Sequence, residues 1–478
     1  MVNETFADGI QYVGSSARIA ERYRAMKKEV IVIFDVGKTN KKMVLFDAGF
    51  RLVHDEEQAF DPIVDEDGVE SDNVDEIARW MKSRLKDLVK GPEYSPVGLN
   101  FSTYGATIVL LDRSRRRLAP VYNYLKPVDP SVREKLFATY GGEEEFCRCT
   151  ASPSLENLLN SGVQLMWLKE KKPALCRQLT TVLHLPQYFF FLFSGILTSE
   201  PTSVGCHTFM WDFEQMTYHR WLAREGFSLP VPRPNGKLTK VDFEGISLLA
   251  GAGIHDSSAS LVPYCMKSKG PFVLISTGTW CINMNPFNEE PLTAAQLSQD
   301  CLCFLSTDQR PVKSSRFFMG YFHDHWVQRL ALDYGVSESE FFRICEDPLL
   351  AGNAEDYSSD ELVFFPNGGQ DYRVDAVSFD PARLNSYQTA YSRLLFELTA
   401  LCARSVRLVL AKNDSTRLLY VSGGFSRNRA FLHLLSGFFP DKEICCAEMA
   451  NASALGAALV MAPELGWSVD RFSRPDKP

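Results

Sequence analysis

The sequence predicts an α/β protein made of two related domains that face each other across a cleft. Three observations carry that expectation. A chain of 478 residues is longer than one hydrophobic core can serve, since cores stop growing at roughly 250 to 300 residues. An apolar strand run, a polar glycine turn and a second strand run occupy residues 30–47 (VIVIFDVGKTNKKMVLFD), and the same order returns at 271–284 (PFVLISTGTWCINM), as duplicated units do. Between the two repeats, residues 240–264 are rich in glycine and small residues, which places the domain boundary close behind them.

The elements follow in chain order. Residues 1–29 form an N-terminal extension with no long apolar stretch, so neither a secretory signal nor an anchor is expected, and Ala17–Met26 suit a helix. Residues 30–264 form the first domain: a hairpin with its turn at 37–41, a helix over 73–90, and strands at 97–102 and 107–111. The apolar run LHLPQYFFFLFSGIL at 183–197 reads as a buried helix, because it falls short of the roughly 20 residues needed to span a bilayer. Residues 265–478 form the second domain. There, 417–439 read as a strand, a Gly-Gly turn and an amphipathic helix, and 452–462 as a small-residue helix.

Composition narrows the function. Hydrophobic residues at 45% and charged residues at 23% describe a folded globular protein. A net charge of −8 gives no global attraction to nucleic acid or to anionic membranes. The twelve cysteines lack the CxxC spacing of a zinc site, so they read as reduced thiols of a cytoplasmic protein.

The turns carry the chemistry. DVGKTNKK offers Asp35 to a hydrated magnesium ion, Gly37 to close backbone approach, Thr39 and Asn40 as polar turn groups, and Lys42 as a cation near phosphate. It is not a Walker loop, because Val32 stands where that motif needs glycine. STGTW supplies Ser276, Thr277 and Thr279 around Gly278. Two such turns facing each other can hold one triphosphate. Gly423, Gly424 and Gly456 let a ligand or a neighbouring helix approach bare backbone, with Asn428 beside the first two. Asp256, in GIHDSSAS, suits both a proton acceptor and a helix N-cap. Asn100, Ser102, Thr103, Tyr104 and Gly105 close a strand where sugar hydroxyls or an ordinary turn would fit equally.

Taken in order, DVGKTNKK, GVQLMWLKEKKP, GIHDSSAS, STGTW, YVSGGFSRNRAF and ASALGAA resemble the markers of the FGGY family of carbohydrate kinases, over about residues 30–462. The resemblance implies two ribonuclease-H-like domains of the actin-like ATPase fold flanking a catalytic cleft. It further implies ATP with Mg2+, and a small sugar substrate. Asp256 would be the general base and Asp35 would lie near the metal. Thr39, Ser276 and Thr279 would surround the phosphates, and Gly423, Gly424 and Asn428 would line the adenosine pocket. His255 beside Asp256, the STGTW form of the second turn and SSRFFMGYFHDHW at 314–326 resemble the rhamnulokinase branch, which points to a deoxy-ketose such as L-rhamnulose. Relatives often form homodimers. Two departures stand out: Lys38 replaces a usual threonine, and YNYLKP at 122–127 replaces a stretch that usually carries Asp and Arg for the sugar. They also admit a second class, a sugar- or nucleotide-sensing protein on the same fold.

Overall fold

The computed structural model describes residues 27–352, 362–365, 384–447 and 449–470. The helix expected at 17–26 lies outside them. Strands β1 (Lys28–Val36) and β2 (Lys41–Asp47) form an antiparallel hairpin, and β3 (Leu52–Gln58) extends it. After helix α1 (Val74–Lys90), strand β4 (Tyr94–Thr103) runs parallel to β1 on its other side.

The apolar run at 183–197 is not one helix. Strand β5 (Ile108–Leu111) pairs with β6 (Thr181–His184), and the chain then turns into α2 (Leu185–Ser194). Pro186 explains the break, since proline fits the first turn of a helix and not its interior. The glycine-rich segment also has more structure than a linker. It contains hairpin β7 (Thr239–Phe243) and β8 (Ile246–Ala250), short strand β9 (Ile254–His255) and helix α3 (Asp256–Lys267). Across the first sheet the order is β7-β8-β4-β1-β2-β3, with β9 parallel to the end of β4.

The second sheet repeats this plan with β10 (Phe272–Thr277), β11 (Cys281–Asn285), β12 (Cys301–Leu305) and β13 (Pro311–Phe317). Helices α4 (Met319–Tyr334) and α5 (Tyr387–Val409) lead to β14 (Leu418–Gly423), α6 (Arg429–Phe438), β15 (Glu443–Cys446) and α7 (Ala452–Leu459). Its order is β12-β13-β11-β10-β14-β15. Antiparallel β1-β2-β3 beside parallel β4 corresponds to antiparallel β10-β11-β13 beside parallel β14. Both are ribonuclease-H-like sheets.

Burial explains the composition of the central strand. Val30–Phe34 are all buried, because a strand covered on both faces takes a continuous apolar run. Val30, Val32 and Phe34 pack with Trp80, Met81 and Leu85 of α1. Ile31 and Ile33 pack on the other face with Ala259 of α3 and Ala454, Leu455 and Ala458 of α7. Thus α7, which follows the second sheet in the chain, seals the first one. The seam is tight: a Cβ on Gly456 would lie 1.8 Å from the Ala259 carbonyl oxygen. Buried Asn100 spans it, donating from Nδ2 to the Ala457 oxygen at 2.9 Å.

In an exposed helix, replacing glycine by alanine adds about 1 kcal/mol of stability. Here Gly456→Ala drives a methyl group into backbone and lowers stability by about 1–3 kcal/mol, which chemical denaturation of the two proteins will show.

Candidate active site

The site is built where the ends of β1, β4 and β9 meet α3 and α7. Asp35, next to last in β1, lies opposite Ser102 of β4 and Lys42 of β2. Ser453, in the first turn of α7, donates its hydroxyl to Asp35 Oδ2 at 3.2 Å. Burial pushes the Asp35 carboxyl up to about 6, and the Asp256 charge adds to the rise, while the Ser102 and Ser453 hydroxyls and Lys42 oppose it. Ser102 acts through proximity, since its buried hydroxyl oxygen has no hydrogen-bond partner.

Asp256 is the first residue of α3, and His255 is the N-cap, so the cap position anticipated for Asp256 belongs to its neighbour. The Ser257 backbone N–H donates to Asp256 Oδ1 at 2.6 Å and the Ser257 hydroxyl donates to the same oxygen at 3.3 Å. No hydrogen bond among the described residues reaches Oδ2, which leaves that oxygen for a substrate. Burial raises this carboxyl to about 6 against those two hydrogen bonds. Because 35% of the side-chain surface is still open, solvent in an open cleft moderates the rise.

His255 is held from several sides. Its Nε2 lies 3.3 Å from Asp256 Oδ1, and its Nδ1 lies 3.3 Å from the Ser258 hydroxyl. Burial lowers it to about 4, so the ring is neutral at neutral pH. Its backbone N–H donates to Thr202 Oγ1 at 3.0 Å, and Thr202 in turn donates to Glu200 Oε2 at 2.6 Å. Glu200 is fully buried and N-caps a short helix at Pro201–Val204. The sequence reading missed this support, although Glu-Pro-Thr-Ser carries the signal of a capped helix with proline at its first position. Gly105 is required by the same packing, because a Cβ there would meet Cys206 Sγ at 2.6 Å and His255 Nε2 at 3.1 Å.

The first turn closes through Gly37 N–H donating to the Asn40 carbonyl at 2.9 Å, and Thr39 and Asn40 are exposed on it. Lys42 leans toward Glu57 at 3.6 Å. In the second turn, Thr279 and Gly278 are exposed and Ser276 is half-buried. Thr277 has a structural role: its hydroxyl donates to the Ser422 carbonyl at 2.5 Å and accepts from the Phe425 N–H at 3.1 Å. Gly423, at φ 82°, packs directly on Thr277. Gly320, which the sequence reading did not single out, lets α4 reach this turn, with a Cβ there falling 2.2 Å from the Gly278 oxygen.

Three anticipated ligand groups are occupied by the fold. Asn428 is buried and N-caps α6, with Oδ1 accepting from Phe431 N–H at 2.9 Å and Nδ2 donating to Cys345 Sγ at 3.0 Å. Gly456 sits in the α3–α7 seam, and the Thr103 hydroxyl donates to the Tyr104 carbonyl at 3.0 Å. Gly424 meets nothing within 4 Å of a Cβ position and stays open.

The donor set fits a magnesium ion held through phosphate. Among the described residues no cluster of three or more His, Cys, Asp or Glu could cage a metal, and Mg2+ is normally bound by one or two carboxylates together with substrate phosphates and water. Asp35 supplies such a carboxylate, and a neighbouring cation would return it to the charged form.

Known proteins share the family and the fold of this chain. Residues 30–225 match the N-terminal domain of the FGGY family of carbohydrate kinases, and residues 269–339 match an FGGY C-terminal domain. The chain belongs to that family, whose members use ATP with Mg2+. It is 24% identical to a rhamnulokinase of Oceanobacillus iheyensis over 224 residues, covering 44% of this chain and 46% of that one. It thus spans about half the length of that relative. With an L-fuculokinase of Salmonella typhi it is 23% identical over 476 residues, 95% of each chain. The crystal structure of a carbohydrate kinase from Novosphingobium aromaticivorans superposes with a TM-score of 0.73 at 22% identity, covering 90% of this chain and 93% of that one. Among the described residues no helix is long and apolar enough to cross a membrane.

The raised carboxyls also predict a stability signature. A carboxyl that moves from 3.8 to about 6 on folding binds its proton more tightly in the folded chain. Its contribution is therefore complete below the unfolded value and lost as pH rises through about 6. Asp256→Asn, which removes the partly desolvated charge, raises the melting temperature at pH 8 by more than at pH 5. Equal shifts at the two pH values would show that the carboxylate is not desolvated.

Proposed function

We propose that the protein transfers the γ-phosphoryl group of ATP to a hydroxyl of a ketose or deoxy-ketose, with L-rhamnulose the leading candidate. The observation that carries this reading is the Asp256 carboxylate, anchored through Oδ1 and open at Oδ2, whose charge reaches Asp35. Residues 30–264 hold the sugar and the base, and residues 265–478 hold the nucleotide. The rhamnulokinase and L-fuculokinase relatives support a six-carbon deoxy-ketose.

Phosphoryl transfer needs positioning and charge stabilisation more than covalent chemistry. Exposed Thr39, Asn40, Gly278 and Thr279 present polar backbone and hydroxyl groups to the triphosphate from two equivalent turns. Asp35 would hold a hydrated Mg2+, which when bound would offset the charge that builds on the phosphate oxygens. Asp256 Oδ2 accepts the proton of the attacking hydroxyl, so the sugar oxygen forms its bond to phosphorus as the bridging oxygen leaves with ADP. Neutral His255 and the Glu200–Thr202 pair keep that carboxylate in place.

Asp256→Asn lowers the sugar-dependent rate of ADP formation by about 10²–10⁴-fold, the range for loss of a general base. Near-normal turnover in that variant would refute the assignment. In the wild type, kcat/KM falls with acid below about pH 6, where Asp256 takes up its proton.

A further inference from the structure

Lys38 extends from the first phosphate turn, yet its ammonium is held elsewhere. It donates to Asp72 Oδ2 at 2.6 Å and lies over the rings of Tyr104 and Tyr124 at 5.2 and 5.3 Å. Tyr104 donates its hydroxyl to the same Asp72 oxygen at 2.6 Å, and the two rings meet edge to face at 5.9 Å. Lys41 locks the arrangement, donating to the Lys38 carbonyl at 2.8 Å and to Asp72 Oδ1 at 3.1 Å. Lys41 is almost fully buried, whereas Lys38 keeps 31% of its side-chain surface. Burial pushes the Asp72 carboxyl up, but the Lys38 and Tyr104 hydrogen bonds and the two lysine charges outweigh it and hold it below the usual carboxylate range.

This cluster stands next to the base, because β9 pairs His255 with Thr103, the neighbour of Tyr104, and Tyr104 and His255 line one small cavity. The Tyr124 phenol is pushed up by burial and by the charges of both Asp72 and Asp256. Tyr124 also stands within YNYLKP, the stretch that lacks the usual Asp and Arg. Asp72 has three donors on its two oxygens, so it has little capacity left for a sugar hydroxyl. An ammonium has three N–H groups, and only one of them is used by Asp72.

We infer that Lys38 is a specificity-determining residue of the acceptor pocket, where its ammonium hydrogen-bonds an oxygen of a neutral sugar whose C–H face lies on Tyr104 and Tyr124. The inference rests on the sugar-kinase reading and assigns the substrate contact that the missing Asp-Arg pair leaves open. Neutrality follows from charge: Lys38 and Lys41 share Asp72 and leave one surplus positive charge, which the two carboxyls Asp256 and Asp35 facing an anionic acceptor would outweigh. Asp72 and Lys41 are positioning residues that fix the ammonium.

The test is thermal stabilisation of the full-length wild type, Lys38→Thr and Lys38→Arg, each titrated separately with MgADP and with a panel of ketoses, deoxy-ketoses, polyols and the matching sugar acids. Melting without ligand controls for folding. The expected result is that a neutral sugar stabilises the wild type, that Lys38→Thr weakens its apparent Kd by about tenfold or more, as for one charge-assisted hydrogen bond, and that Lys38→Arg recovers part of the loss. Affinity for MgADP stays within about twofold. Weakened MgADP with unchanged sugar affinity would return Lys38 to the phosphate turn and overturn the inference. So would unchanged affinity for both, a preference for the sugar acids, or no stabilisation of the wild type by any sugar. The kinase reading is scored separately, since it fails if wild-type protein forms no sugar phosphate whatever Lys38→Thr binds.

Discussion

Everything at the cleft depends on two carboxyls, Asp35 and Asp256, that are partly withdrawn from water, with Asp256 near enough for its charge to act on Asp35. Burial pushes both groups toward their neutral forms, and at Asp35 the charge of Asp256 adds to the rise, so both stand at about 6. Such values suit a base that must be ionised at neutral pH yet still hold a proton briefly. The surrounding groups set the balance: Ser257 anchors one oxygen of Asp256, Ser453 reaches one oxygen of Asp35, and neutral His255 adds no charge.

The same constraint explains the architecture around the site. Ser453 belongs to α7, which follows the second sheet but packs on the first, so the Asp35 environment is completed by the far end of the chain. The α3–α7 seam fixes both Asp256, at the start of α3, and Ser453. Gly456 and Asn100 set how closely the helices and the first sheet approach. Small residues in ASALGAA thus set the distances around Asp35 and Asp256.

What was legible in the sequence was local. Both hairpins, the Gly-Gly turn and α6 follow from short runs whose period and turn residues act within a few positions; Asp35 stands out because it borders the first of those turns, and Asp256 because it lies in the glycine- and serine-rich GIHDSSAS. The run at 183–197 misled because its hydrophobicity hides the stop imposed by Pro186. Asn428 and Gly456 were ambiguous because one residue type serves as cap, packing element or ligand surface, and only the neighbours decide. The long-range partners could not be read. Asp72 lies 34 residues from Lys38, and Ser453 lies 418 from Asp35. No periodicity links such positions, and Lys38 read as a departure from the family pattern until Asp72, Tyr104 and Tyr124 were seen around it.

The most direct test of the account is the identity of the phosphorus product. Wild-type protein, MgATP and the sugar that binds it best would be followed by phosphorus NMR. The account predicts one sugar phosphomonoester formed mole for mole with ADP, and little inorganic phosphate. Inorganic phosphate as the main product, or no ATP consumption with any sugar, would contradict it.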